Sequence, residues 1–192
     1  MNDTSYYTPK GGLPGPTNLM TGRAVFTTAY AVIPKGVMAD IVTSKLPFWT
    51  DTRLWVLSKP LSGFAETFSQ YIVEVSPGGG SEKPETEPGT EAVLFVTDGE
   101  LTLTLDNETH TMTSGGYAYI SCDADWTVKN NSGATVSFHW IRKAYEKVDG
   151  LDTPDSFVTN ENDHAPQVMP DDHTGWMTTR FVDGAVTTSS RH

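Results

Sequence analysis

Between Pro77 and Arg142 the chain alternates apolar and polar residues with a period of two, interrupted at short intervals by glycine, aspartate and asparagine. Leu101, Leu103 and Leu105 alternate with Thr102 and Thr104, which predicts a strand with one face buried and the other wet. Asp106-Asn107 offers a turn, after which Thr109, Thr111 and Thr113 take one face and His110 and Met112 the other. Gly115-Gly116 breaks the run, Tyr117-Ala118-Tyr119-Ile120 makes a further strand, and Val136, Phe138 and Trp140 form the apolar face of a last one. Short strands at this spacing, with turn residues between them, predict an all-β fold built as a small antiparallel barrel or sandwich.

The flanks are less regular. Met1 to Thr21 is rich in glycine and proline and predicts an arm in extended or turn conformation. Ala24 to Ile33 is β-prone, Leu46-Pro47-Phe48-Trp49 predicts a buried corner, and strands are expected over Thr52 to Leu57 and Phe68 to Val75. Pro77-Gly78-Gly79-Gly80-Ser81 lacks the Lys-Ser/Thr pair of a phosphate loop and precedes no helical pattern. Its glycines predict a bend of the strand into the barrel mouth. Lys143 to Asp183 reads as a polar, turn-rich linker through Val148–Asp155 and Asn160–His164, with a short strand at Met177 to Val182. The expected division is 1–66 for the arm and flanking strands, 67–142 for the barrel, and 143–192 for the linker and a divergent tail.

The stretch from Pro77 to Arg142 resembles a cupin, which implies a single jelly roll (double-stranded β-helix) with an N-terminal arm and a C-terminal linker. The cupin pattern has two motifs, G-x5-H-x-H-x3,4-E-x6-G and G-x5-P-x-G-x2-H-x3-N. With the first ending on Gly99, the metal-binding Glu position falls on Ala92 and the two His positions fall among Glu85, Thr86, Glu87 and Pro88. With the second starting on Gly116, Cys122 stands at the Pro position, Ala124 at the Gly position, Thr127 at the His position and Asn131 at the Asn position. The scaffold marks survive and the metal donors do not. Glu91 is one residue from the Glu position, and one residue along a strand turns a side chain to the opposite face. Glu85 and Glu87 offer oxygens to a hard cation, but Ser81 to Glu91 reads as a solvated acidic loop. The expectation is that this chain has no metal, cofactor-binding or catalytic residues.

Longer phrases, YYTPKGGLPGPTNLMTGRAVFTTAYAVIPKGVM and LPFWTDTRLWVLSKPLSGFAETFSQYIVEV together with the cupin stretch, resemble the bacterial (S)-ureidoglycine aminohydrolases from about Tyr6 to Val182. That resemblance implies a bicupin of allantoin breakdown, which uses manganese to release ammonia from ureidoglycine and give ureidoglycolate. It also implies that the metal and the catalytic residues belong to the second cupin and that the first is metal-free. A second barrel is expected after Asp183, where this sequence reads GAVTTSSRH from Gly184 to His192. The expectation is therefore a truncated aminohydrolase, inactive alone. The alternative is a non-enzymatic cupin that binds a small ligand or serves as a scaffold.

Composition narrows the partners. The chain has 192 residues, enough for one domain with a real core. Its formal charge of −11 disfavours nucleic acid and anionic membranes. A single cysteine, Cys122, rules out an internal disulfide and agrees with the cytoplasm. The start has no signal-peptide pattern, and no apolar run reaches membrane-spanning length. A homo-oligomer acting on a small molecule is expected. His110, His139, His164, His173 and His192 show no ligand spacing. His110 and His139 lie in predicted strands and are read as structural, and a Cys122–His139 nucleophile pair has nothing to hold it together. Tyr117, Tyr119, Trp126 and Trp140 are read as core aromatics.

Overall fold

The computed structural model describes residues 45–58, 67–168 and 177–182, together with two short strands near the N-terminus. The arm expected over Met1 to Thr21, His173 and His192 lie outside the described residues. Strands β1 (Val25–Phe26) and β2 (Ala31–Val32) pair with each other. The main sheet has nine strands: β3 (Trp49–Ser58), β4 (Ser69–Ser81), β5 (Thr90–Asp98), β6 (Glu100–Leu105), β7 (Glu108–Thr113), β8 (Gly116–Ile120), β9 (Trp126–Lys129), β10 (Val136–Ala144) and β11 (Phe157–Asn160). They run β11-β8-β5-β10-β4-β9-β6-β7, with β3 also on β4. Every pairing is antiparallel. A last hairpin joins β12 (Gln167–Val168) to β13 (Met177–Thr178). The described residues contain no α-helix.

The alternation builds this sheet. Leu101, Leu103, Val73, Val75, Leu94, Val96, Val136 and Phe138 all turn inward and are fully buried, and Met112 joins them from β7. The β6–β7 hairpin closes at Asp106-Asn107, whose φ angles of 49° and 70° are those of a two-residue primed turn. The strand order, in which β4 lies between β10 and β9 while β5 lies between β8 and β10, is that of a jelly roll. The sheet is nearly closed on itself: the Gly115 amide donates to Val96 O at 2.8 Å, Ser114 Oγ to Thr97 O at 3.0 Å, and the Glu161 amide to Gly115 O at 2.9 Å.

Three elements differ from expectation. Strand β4 does not stop at Val75 but runs on through the glycines to Ser81. Two strands cross there too closely for side chains: a Cβ on Gly79 would stand 2.8 Å from Thr50 O, and one on Gly80, whose φ is +142°, would collide with the carbonyl oxygen of Val128. The corner at Leu46–Trp49 is only half buried. Trp49 is in the core, but Phe48 takes φ 66° and is 63% exposed. Its carbonyl accepts from Ser81 Oγ at 2.7 Å, and its ring lies under the Lys83 ammonium. Finally, Phe157–Asn160, expected as linker, pairs with β8. Its Phe157 ring stacks on Tyr117 at 5.7 Å, and Phe181 covers the same Tyr117 at 4.4 Å.

Candidate functional site

Strand β10 carries the inward series Val136, Phe138, Trp140 and Arg142 toward the barrel mouth. Trp140 meets Trp49 at 5.6 Å, Tyr71 at 5.3 Å and Trp126 edge-on at 6.0 Å between ring centroids. All three tryptophans are buried, so indoles fill the upper barrel. Trp49 Nε1 donates to Pro84 O at 3.3 Å, which fastens the β4–β5 loop to this plug.

One step further out, Arg142 faces that loop. Its Nη2 lies 2.6 Å from Glu85 Oε1 and 3.0 Å from Glu87 Oε2. The Arg142 and Glu85 side chains are 17% and 11% exposed, whereas Glu87 is 72% exposed. Burial works against the guanidinium charge, but the Glu85 carboxylate, the Tyr71 hydroxyl and the Glu87 carboxylate together outweigh it and raise the pKa. Glu85 Oε1 also accepts from the Thr86 and Glu87 amides at 2.8 and 2.9 Å. The loop read as solvated is therefore folded in at Glu85, because a cation 57 positions away calls the carboxylate inward. Glu85 Oε2, Arg142 Nε and Trp140 Nε1 are buried with no partner among the described residues. Beside the pair a cavity of about 550 Å³ opens, its rim carrying Glu82, Lys83, Glu87, Asp123 and Asp125.

The positions expected from the cupin pattern fall as follows. Ala92 is inward, 2% exposed, and directly cross-strand from Arg142. Glu91 is on the outer face, where its Oε2 accepts from the Tyr119 hydroxyl at 2.8 Å. Burial, reinforced by that carboxylate, raises the Tyr119 pKa. Thr127 is turned away from the core, and its neighbours Trp126 and Val128 point in. Asn131 is exposed and donates to Thr102 Oγ1, whereas Asn130 is fully buried and donates to Val75 O and Ala134 O at 2.7 and 2.8 Å. The second motif therefore starts on Gly115, whose φ is +84°, and not on Gly116. That correction puts Trp126 at the His position and Asn130 at the Asn position. In the first motif the four-residue spacing puts Glu85 and Glu87 at the two His positions, and these are the two carboxylates that meet at Arg142.

The remaining candidates lie apart from this mouth. His139 points outward, across from Ile72 and Phe95, and burial lowers its pKa. Burial and the Asp123 charge raise the Cys122 thiol. The two shifts are the reverse of those in an activated thiolate–imidazolium pair. His110 shares the inward side of β7 with Met112, but stands at the rim, 3.8 Å from Glu108. His164 Nε2 is bonded to Thr159 Oγ1 at 2.7 Å. Of the four aromatics, Trp126 and Trp140 are core while Tyr117 and Tyr119 are outside it.

A divalent ion does not fit the donors at this mouth. A methyl group stands at one donor position, an indole at another, and a guanidinium is held between the two carboxylates. Among the described residues no three His, Cys, Asp or Glu side chains are grouped to hold a metal. Nor is any helix long and apolar enough to cross a membrane. Arg142 was legible as a site residue only through the alternation, which sets a guanidinium on the apolar face two residues after Trp140.

Comparison with known proteins follows the same lines. The chain is 24% identical over 135 residues to the (S)-ureidoglycine aminohydrolase of Escherichia coli (strain K12), a match over 69% of this chain and 49% of the enzyme. A glyoxylate-induced protein from Pseudomonas aeruginosa superposes with a TM-score of 0.80 at 60% identity, over 95% of this chain and 66% of that one. The Ylba protein of E. coli superposes with a TM-score of 0.67 at 23% identity, over 78% of this chain and 60% of that one, and shares the fold. This chain thus spans about half the length of its curated relative. Residues 71–142 match the Cupin domain family, and together with the jelly-roll topology they make this barrel a cupin domain.

Proposed function

We propose that this chain is a cupin half of a ureidoglycine aminohydrolase-type protein, the half that carries no metal, and that manganese in a second barrel serves the release of ammonia. The reaction is a hydrolysis: water replaces the α-amino group of ureidoglycine, the C–N bond breaks, and ureidoglycolate and ammonia leave. One observation carries the reading. Likeness to the E. coli enzyme runs through the barrel, yet the donor positions at its mouth hold Ala92, Trp126 and two carboxylates already engaged by Arg142. This barrel's part is then to fold, to pack against its companion and to complete a homo-oligomer of the cytoplasm. A charge of −11 keeps nucleic acid and anionic membranes away. The test measures ammonia release from (S)-ureidoglycine by the purified chain with added Mn²⁺, alongside its metal content. Neither ammonia nor stoichiometric manganese is expected. Both together would overturn the reading.

The cavity at the mouth favours a second reading, a non-enzymatic cupin that binds a small ligand. Its rim carries Glu82, Glu87, Asp123 and Asp125 against Lys83, which suits a small organic cation. Metal-independent stabilisation by ureidoglycine or simple amines in a thermal-shift series would favour this reading over the first.

A further inference from the structure

The mouth of the barrel holds a cation of the protein's own. Glu85 and Glu87 aim one oxygen each at the same nitrogen, Arg142 Nη2, so the two carboxylates converge on one point. Ala92, directly across from Arg142 on the neighbouring strand, contributes only a methyl group. A glutamate there would bring a third negative charge and fill the space into which the guanidinium reaches. Trp126 and Trp140 close the inner side, with the guanidinium carbon 5.7 Å from the Trp140 ring.

We propose that the Arg142 guanidinium is the resident cation of this barrel, standing where the cupin pattern gathers its metal donors, and that it bars a divalent ion from that seat. The inference rests on the metal-free reading above. Its physical basis is charge and room. One guanidinium nitrogen carries two N–H groups and faces both carboxylates at once. An arriving metal ion would have to displace a half-buried cation that does not lose its proton. With Arg142 removed, two convergent carboxylates are left without a counter-charge, and those are the oxygen donors that a hard cation takes.

The test uses the full chain, stripped with chelator and titrated with MnCl₂. Bound metal is read by elemental analysis, and indole fluorescence serves as a second readout because Trp126 and Trp140 flank the seat. Wild type is expected to bind no stoichiometric manganese. Arg142→Ala is expected to bind one ion per chain, at least about tenfold tighter than wild type, with a metal-dependent rise in Tm. That rise should be absent from wild type and from the double variant with Glu85→Gln. Arg142→Gln, neutral but still able to donate to both carboxylates, carries the same expectation where Arg142→Ala does not fold. A folded Arg142 variant that matches wild type in metal binding overturns the role given to the guanidinium. Stoichiometric manganese in wild type overturns it too. Ammonia release by a manganese-loaded wild-type chain would sink the underlying metal-free reading, whereas a metal-free wild type with metal-free folded variants would sink only the role of Arg142.

Discussion

The two ends of strand β10 are built on opposite principles. At Val136 and Phe138 the core neighbours are aliphatic or aromatic, and the fully buried Asn130 beside them has its amide bonded to Val75 O and Ala134 O. At Trp140 and Arg142 the same inward face meets two further tryptophans, a tyrosine and two carboxylates, and three buried polar atoms lack partners among the described residues. The deep end is held by shape and by buried hydrogen bonds such as those of Asn130. The mouth is held by shape and by the ion pairs of Arg142 with Glu85 and Glu87, and it retains hydrogen-bonding capacity that nothing in the described residues meets. In a barrel of this kind the deep end secures the fold, while the mouth is where a change of a few side chains alters what the barrel can hold.

The largest expected effects test whether the mouth is a true plug. Phe138→Ala should cost about 3–5 kcal/mol, since the ring is fully buried and its cavity cannot collapse between paired strands. Trp140→Ala should cost a similar ~3–5 kcal/mol if the indoles seal the upper barrel. A loss below ~1 kcal/mol in urea melts would show the mouth to be open instead. Trp140→Phe should fall within about 1.5 kcal/mol of wild type, because it removes a buried N–H that has no acceptor.

Next in size is Gly80→Ala, at the crossing of β4 and β9. The new methyl meets the Val128 carbonyl, a backbone atom that cannot swing aside, at a φ that side chains rarely adopt. A loss of more than about 2 kcal/mol is expected. An unchanged Tm would mean that the two strands cross at a greater distance. After it comes the ion pair. Glu85→Gln should cost about 1–3 kcal/mol, because it leaves a half-buried guanidinium with only the exposed Glu87 carboxylate as counter-charge. Glu87→Gln, at an exposed position, should cost less than about 0.5 kcal/mol. Equal losses in the two variants would dissolve the distinction between a seated and a solvated carboxylate.

The same comparison shows what the sequence could reveal. Period-two alternation settles which side of a strand is inward, so Leu101, Leu103, Met112, Val136, Phe138 and Trp140 were legible residue by residue. Alternation says nothing of what lies across the barrel. Glu85 and Arg142 come from different ends of the stretch and meet only because β10 pairs with β5. The Gly115-Gly116 doublet offered two anchors for the second motif. The burial of Trp126 and Asn130, against an outward Thr127 and an exposed Asn131, favours the anchor at Gly115. Strand β11 was hidden because Phe157-Val158-Thr159 is short and its flanks are polar, so pairing with β8 decides what local pattern could not. Phe48 reads as core by composition, yet its left-handed φ turns the ring out.

The smallest expected effect lies on the outer face of the same strand and separates it from both inner regions. His139 sits between Ile72 and Phe95, and burial holds its pKa below the ordinary imidazole value of about 6.5. The folded chain therefore keeps the ring neutral at a pH where the unfolded chain has already taken up a proton. Its contribution to stability is present above pH ~6.5 and is lost as pH falls toward the depressed folded value. The Tm of wild type should decline through this window before the carboxylates titrate, and His139→Gln should flatten the decline without altering the metal or cation behaviour of the mouth. If the variant and wild type decline in parallel, the outer imidazole is solvated enough to titrate alike in both states, and His139 has no part in the acid sensitivity.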